Sequence, residues 1–236
     1  MYAEHFGFSK LPFSVTPDPQ VFFDNSVYRE AFAKLQHGVL AKKGLVLITG
    51  EVGTGKTTLL RKLLYGLGPT AHSVFISNPQ VSFVELLRFI LDDLNLACEH
   101  SDKRTMIETL DQYLIERSRQ GHIVILLIDE AQNLCDEALE GLRLLSNLKT
   151  DTEKLLQIVL MGQPELEVRL NHPKLRPLKQ RITIQCRLAP LKKEEVGAYI
   201  EFRLKAVGFR GQSPFQRDSL EAIAFYSKGI PRLVNI

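Results

Sequence analysis

An α/β fold, built on a parallel five-stranded sheet covered by helices and followed by an all-helical part, is predicted by three observations. From about residue 44 to 187, short β-rich runs alternate with helical segments, the pattern that builds a parallel sheet with helices packed on it. One of these runs, Ile123–Ile128, is six apolar residues long and ends in two carboxylates, as expected of a buried strand whose end faces a ligand crevice. Beyond about Lys192 only helical spacing remains.

Each element has its own justification. Residues 1–43 form an aromatic and proline-rich opening followed by a helix. Pro12, Pro17 and Pro19 fall within eight residues and forbid a continuous helix there. Ala31, Leu35, Val39 and Leu40 then recur at helical spacing, predicting a helix over 26–41. Residues 44–190 form the core. Strands are expected at 44–49, 73–77, 123–128, 155–161 and 182–186, with helices at 56–66, 82–96, 103–120 and 137–148. Ser82 with Glu85 fits a capping box. Residues 191–236 carry two helical stripes, Val196, Ile200, Leu204 and Val207, then Leu220, Ile223, Ala224 and Ser227, each closed by a glycine. Pro231 looks like the first residue of another helix with no room to finish, so the chain reads as part of a longer protein with an incomplete lid.

Composition narrows the class without fixing it. The 236 residues are 44% hydrophobic and 24% charged, which argues against disorder. No apolar run approaches the roughly 18–20 residues of a membrane span, and Met1–Phe6 shows no secretory leader. Thirty basic against twenty-seven acidic residues leave +3, too little to imply nucleic acid or an anionic membrane. Cys98, Cys135 and Cys186 are odd in number and widely spaced, which excludes a disulfide framework or a paired-cysteine zinc site. The six histidines show no metal-ligand spacing and read as surface or loop residues. A cytoplasmic location is expected.

The chemistry lies in two motifs. Gly50-Glu51-Val52-Gly53-Thr54-Gly55-Lys56-Thr57, followed by Thr58, matches the phosphate-loop pattern at every position, between an apolar strand and a helical run. Glycines let main-chain N–H groups turn around phosphates, and the following helix N-terminus adds its positive dipole end. Lys56 is expected on the β- and γ-phosphates of ATP and the Thr57 hydroxyl on Mg²⁺. Asp129 and Glu130 end the 123–128 strand. Asp129 is expected to hold the Mg²⁺ shell, and Glu130 to orient or deprotonate the attacking water. A strand and two helices separate these motifs in sequence, so the acidic strand is not expected beside the loop strand. That favours P-loop NTPases with a glutamate after the metal-binding aspartate.

The chain resembles AAA+ ATPases, and more narrowly the ATPase domain of the general secretion pathway A type and its MshM pilus-biogenesis relatives. The resemblance runs through Phe6-Gly7-Phe8, Pro12-Phe13, Pro17-Asp18-Pro19, Arg29-Glu30-Ala31, the phosphate loop, Asp129-Glu130-Ala131-Gln132, Gly162-Gln163-Pro164-Glu165-Leu166 and Gly229-Ile230-Pro231-Arg232. It implies that Gln163 contacts the γ-phosphate or the water, that Arg232 of the lid reaches the nucleotide, and that Arg181, with Arg176 as runner-up, enters a neighbouring subunit's site. It implies further that the aromatic segment lies near the adenine, with Phe13 or Pro17 touching the base, although the N-terminal aromatics also read as one small packed cluster. A self-associating ATPase working with secretion or pilus assembly proteins follows from the resemblance, held to the inner membrane, if at all, by sequence beyond Ile236. The alternative is an ATP-dependent nucleic-acid adaptor of the transposition-helper or initiator type. It is motivated by eight basic residues and no acidic ones from Arg169 to Lys193, though no aromatic residue interleaves them for base stacking.

Overall fold

The computed structural model describes residues 6–14, 16, 21–77, 79–98 and 102–236. The chain divides into two compact units. The larger comprises Glu30–Thr49 and Leu63–Arg187; the smaller comprises Gly50–Lys62, Leu188–Ile236 and the described part of Met1–Arg29.

In the larger unit the strands are β1 (Leu45–Gly50), β2 (Ala71–Ile76), β3 (Ile123–Ile128), β4 (Leu156–Gly162) and β5 (Ile182–Leu188), in the order β2-β3-β4-β1-β5. The β1–β4, β4–β3 and β3–β2 ladders are parallel. β4 therefore stands between the acidic strand and the loop strand, while β2 is an edge. Central strands buried on both faces are near-continuous apolar runs; every residue of β1 and β4 is buried, with Thr49 and Gln157 the polar exceptions. On one face Leu45, Leu47, Leu126, Ile158 and Leu160 join a core with Phe83, Leu110 and Leu142, from the helices α3 (Phe83–Asp93), α4 (Lys103–Arg119) and α5 (Asp136–Leu145). The opposite face meets α1 (Ser26–Leu40) so closely at Gly38 that a Cβ there would stand 2.9 Å from both Val46 and Ile184.

The capping box at α3 is present, with the Ser82 hydroxyl accepting from the Glu85 N–H at 3.3 Å and the Glu85 carboxylate accepting from the Ser82 N–H at 2.7 Å. Between β4 and β5 lie α6 (Pro164–Leu170) and α7 (Arg176–Lys179), which periodicity did not reveal. Both are short and carry a proline in their first turn, a position where proline's missing N–H costs nothing.

In the smaller unit, α2 (Lys56–Leu67) starts from the loop, and α8 (Lys193–Ala206), α9 (Arg217–Ser227) and α10 (Pro231–Val234) follow β5. Among the described residues, the N-terminal aromatics pack against rings of the smaller unit. Phe6 and Phe8 gather on Phe209, Phe13 on Phe215, Phe22 on Tyr28, and Phe23 on Tyr199 and Phe202. Arg203 of α8 ties the segment down by donating to the carbonyls of Pro12 and Ser14 at 2.6 and 2.8 Å. No helix among the described residues is long and apolar enough to cross a membrane.

Two of the histidines are not simple surface residues. His72 Nε2 on β2 lies 3.0 Å from His122 Nδ1, and the Tyr113 hydroxyl lies 3.4 Å from His72 Nδ1. Burial, reinforced by His122 and Arg117, holds His72 below the ordinary imidazole value. Protonation is therefore harder in the folded than in the unfolded chain, so stability is complete above about pH 6.5 and declines as pH falls through the depressed value. Urea denaturation between pH 7.5 and 5 should show that decline, and His72→Gln should flatten it.

Candidate functional site

The smaller unit contains the Gly50–Thr57 loop. Gly53 and Gly55 take φ of +82° and +90°, left-handed values that a side chain strains to adopt. At Gly53 space forbids a side chain as well, because a Cβ would stand 2.6 Å from the Cβ of Arg232. The loop's carbonyls are held by its surroundings. The Arg232 N–H donates to Gly53 O at 3.2 Å, the Thr54 hydroxyl donates to Glu51 O at 2.8 Å, and the Tyr28 hydroxyl donates to Thr54 O. Tyr28 is buried, and burial pushes its hydroxyl far above the ordinary phenol range. It remains a proton donor at any working pH.

This loop fits an anion. α2 begins at Lys56 with no acidic residue in its first turn, so its positive dipole end is not countered locally. Lys56 is buried, and its ammonium donates to the carbonyls of Gly50 and Glu51 at 2.9 and 3.1 Å. A phosphate oxygen would add an ion-paired, charge-assisted hydrogen bond of the kind carbonyl oxygens do not give. Thr57 and Thr58 follow half-buried in the first turn, while Glu51 and Val52 are exposed.

The larger unit contains the acidic turn. The Asp129 N–H donates to Ile76 O at 2.9 Å, extending the β2–β3 ladder. Asp129 Oδ1 accepts the Glu130 N–H at 2.9 Å. Glu130 itself is left-handed, with φ +53°. Its Oε2 accepts from the side-chain amides of Gln132 and Gln163, the latter at 3.1 Å. Gln163 follows β4 as the cap of α6, and its own N–H donates to Gln132 Oε1 at 3.2 Å. Thus Glu130, singled out by the strand-end motif, and Gln163, singled out by the resemblance, are in direct contact.

Two further residues belong to this turn, and a third contacts the end of β1. Gln132 was visible in Asp129-Glu130-Ala131-Gln132 but carried no assigned role. Arg169, counted among the basic stretch, donates to the carbonyls of Gln132 and Leu134 and to Asp136. Glu167 accepts from the buried Thr49 hydroxyl at the end of β1. No short motif announces these two.

The remaining candidates are dispersed. Arg181 precedes β5 and is exposed, as is Arg176 at the start of α7. Arg181 lies near Lys154, whose ammonium is held below its ordinary value chiefly by burial and then by Arg181. The Arg232 side chain is exposed although its amide holds the loop. Phe13 lines an apolar cavity of about 520 Å³ with Ile200, Phe215, Tyr226 and Leu233. Pro17 lies outside the described residues.

A family model described as an AAA domain matches residues 40–170. General secretion pathway protein A of Aeromonas hydrophila is 41% identical over 237 residues, which are all of this chain and 43% of that protein. Replication factor C small subunit of Staphylothermus marinus is 30% identical over 199 residues, 81% of this chain and 50% of that protein. The chain therefore spans half or less of the curated relatives it matches. Among solved structures, Cdc6p from Pyrobaculum aerophilum aligns with a TM-score of 0.64, covering 92% of this chain and 63% of its own at 22% identity. That likeness concerns the fold alone.

Tyr28→Phe tests the loop's anchoring, since it deletes one hydroxyl and leaves the Thr54 carbonyl without that donor. Equilibrium denaturation should show a loss of about 1–2 kcal/mol.

Proposed function

Because the chain belongs to the AAA domain family, whose members share this nucleotide-binding fold, we propose that it binds ATP and hydrolyses it to ADP and phosphate. The phosphate loop carries this reading: left-handed glycines, fastened carbonyls, a helix start and a buried lysine on the same eight residues. Gly50 to Thr58 bind the triphosphate, with Lys56 on its β- and γ-oxygens. Thr57 and Asp129 would hold Mg²⁺, which would supply charge neutralisation at the triphosphate. Glu130 orients and deprotonates the water, and Gln163 reads the γ-phosphate. Arg232 reaches the nucleotide from the lid. Arg181 serves a neighbouring copy of the chain, so full activity requires self-association.

The 41% identity to General secretion pathway protein A supports work at a secretion apparatus, with a pilus system of the MshM kind as the sister case. A cytoplasmic location fits both. The alternative, an ATP-dependent nucleic-acid adaptor, draws on the likeness to a Replication factor C subunit and on the exposed cations Lys174, Arg176 and Arg181.

Lys56→Ala should abolish nucleotide binding, measured by titration with a fluorescent ATP analogue. Glu130→Gln should keep binding and slow turnover by about a hundredfold or more. Turnover at the unaltered rate in that variant refutes the role given to Glu130. For the adaptor reading, duplex DNA should bind more weakly as salt rises; no binding at low salt removes it.

A further inference from the structure

Resting on that reading and deepening it, we infer that Gln132 is the positioning residue of the general base: its side-chain amide holds the Glu130 carboxylate where it takes the proton of the water that attacks the γ-phosphate. Three observations within the larger unit converge on it. The first is the hydrogen-bond pattern. Glu130 Oε2 accepts from two amides, those of Gln132 and Gln163. The proposed function commits Gln163 to the γ-phosphate, which leaves Gln132 as the donor dedicated to Glu130. Gln132 also accepts the Gln163 N–H at 3.2 Å, so one side chain sets the base and the backbone of the phosphate reader together.

The second is the space reserved for it. A Cβ on Gly162 would stand 2.7 Å from Gln132 Oε1. The strand β4 thus carries glycine at its last position where the Gln132 amide, together with Leu166, fills the place of a side chain. The third is the bracing behind it. Arg169 Nη1 donates to the carbonyls of Gln132 and, at 2.8 Å, Leu134, while Nη2 meets Asp136 at 2.7 Å. This guanidinium fixes the turn from which Gln132 projects. Glu130, left-handed at φ +53°, costs about 1–2 kcal/mol relative to an ordinary backbone. Such a conformation persists where its surroundings over-determine it, and the Gln132 and Gln163 contacts supply that constraint.

The test separates positioning from mere closure of the turn. Steady-state hydrolysis and ATP affinity are measured on the full-length protein for Gln132→Ala and for Gln132→Glu, which keeps the length but replaces the donor by a second carboxylate. Each should lower kcat about tenfold or more while the dissociation constant for ATP changes by less than about twofold. In the Glu130→Gln background, Gln132→Ala should add less than about twofold, because its effect passes through Glu130. Unaltered kcat, parallel loss of affinity and kcat, or multiplicative losses in the double variant would each overturn the assignment. Absence of turnover in the unaltered protein, with ATP binding intact, removes the proposed hydrolysis and this role with it. Normal turnover with indifferent Gln132 variants removes this role alone.

Discussion

A loop that grips phosphate with its amide groups needs somewhere else to put its carbonyls, and this need organises the smaller unit. Glu51, Gly53 and Thr54 each give their oxygen to a donor supplied by the protein: the Thr54 hydroxyl, the Arg232 amide and the Tyr28 hydroxyl. Two of those donors come from segments far away in sequence, one from α1 and one from the C-terminal helices. The aromatic pairs and the Arg203 contacts therefore matter to chemistry they never touch. They hold the N-terminal segment and α8 in place within the same unit. A carbonyl left without its donor costs about 1–3 kcal/mol, a large share of a typical domain's 5–15 kcal/mol.

The acidic turn solves the opposite problem, since a carboxylate meant to handle a proton must be oriented without being neutralised. Amide donors meet that requirement: they fix an oxygen by hydrogen bonding and carry no charge. A lysine or arginine in their place would hold Glu130 more tightly but favour its ionised form and weaken it in the base role proposed for it. The Arg169 guanidinium, which braces this turn, is directed to main-chain carbonyls and to Asp136 instead. Charge is used to brace the turn, and neutral amides hold the Glu130 carboxylate.

Most of the fold was legible because its signals are local. The alternation of strands and helices, the phosphate loop and the Ser82 capping box depend on neighbours in sequence, and the structure reproduces those elements within a few residues. Less legible was whatever arises from contacts distant in sequence. Gln132 lies three residues beyond Asp129, in plain view, yet its role depends on Gln163, 31 residues later. Arg169 looks like one more cation of a basic stretch until its carbonyl partners are known. His72 and His122, 50 positions apart, become a pair only because β2 and β3 are neighbours. Short helices that begin with proline, such as α6, escape periodicity because they complete fewer than two turns.

The glycines carry a lesson about reading such motifs. Gly162 and Gly53 look alike in sequence, each a small residue in a phosphate-enzyme motif, but their physical reasons differ. Gly53 is required twice over, by a left-handed backbone and by the nearness of Arg232. Gly162 has no left-handed requirement; it belongs to an ordinary strand and is small because Gln132 and Leu166 occupy the volume beside it. A strand glycine of this second kind marks the landing place of another residue's side chain. At Gly162 that occupant comes from the acidic turn, where the Gln132 side chain reaches both Glu130 and Gln163.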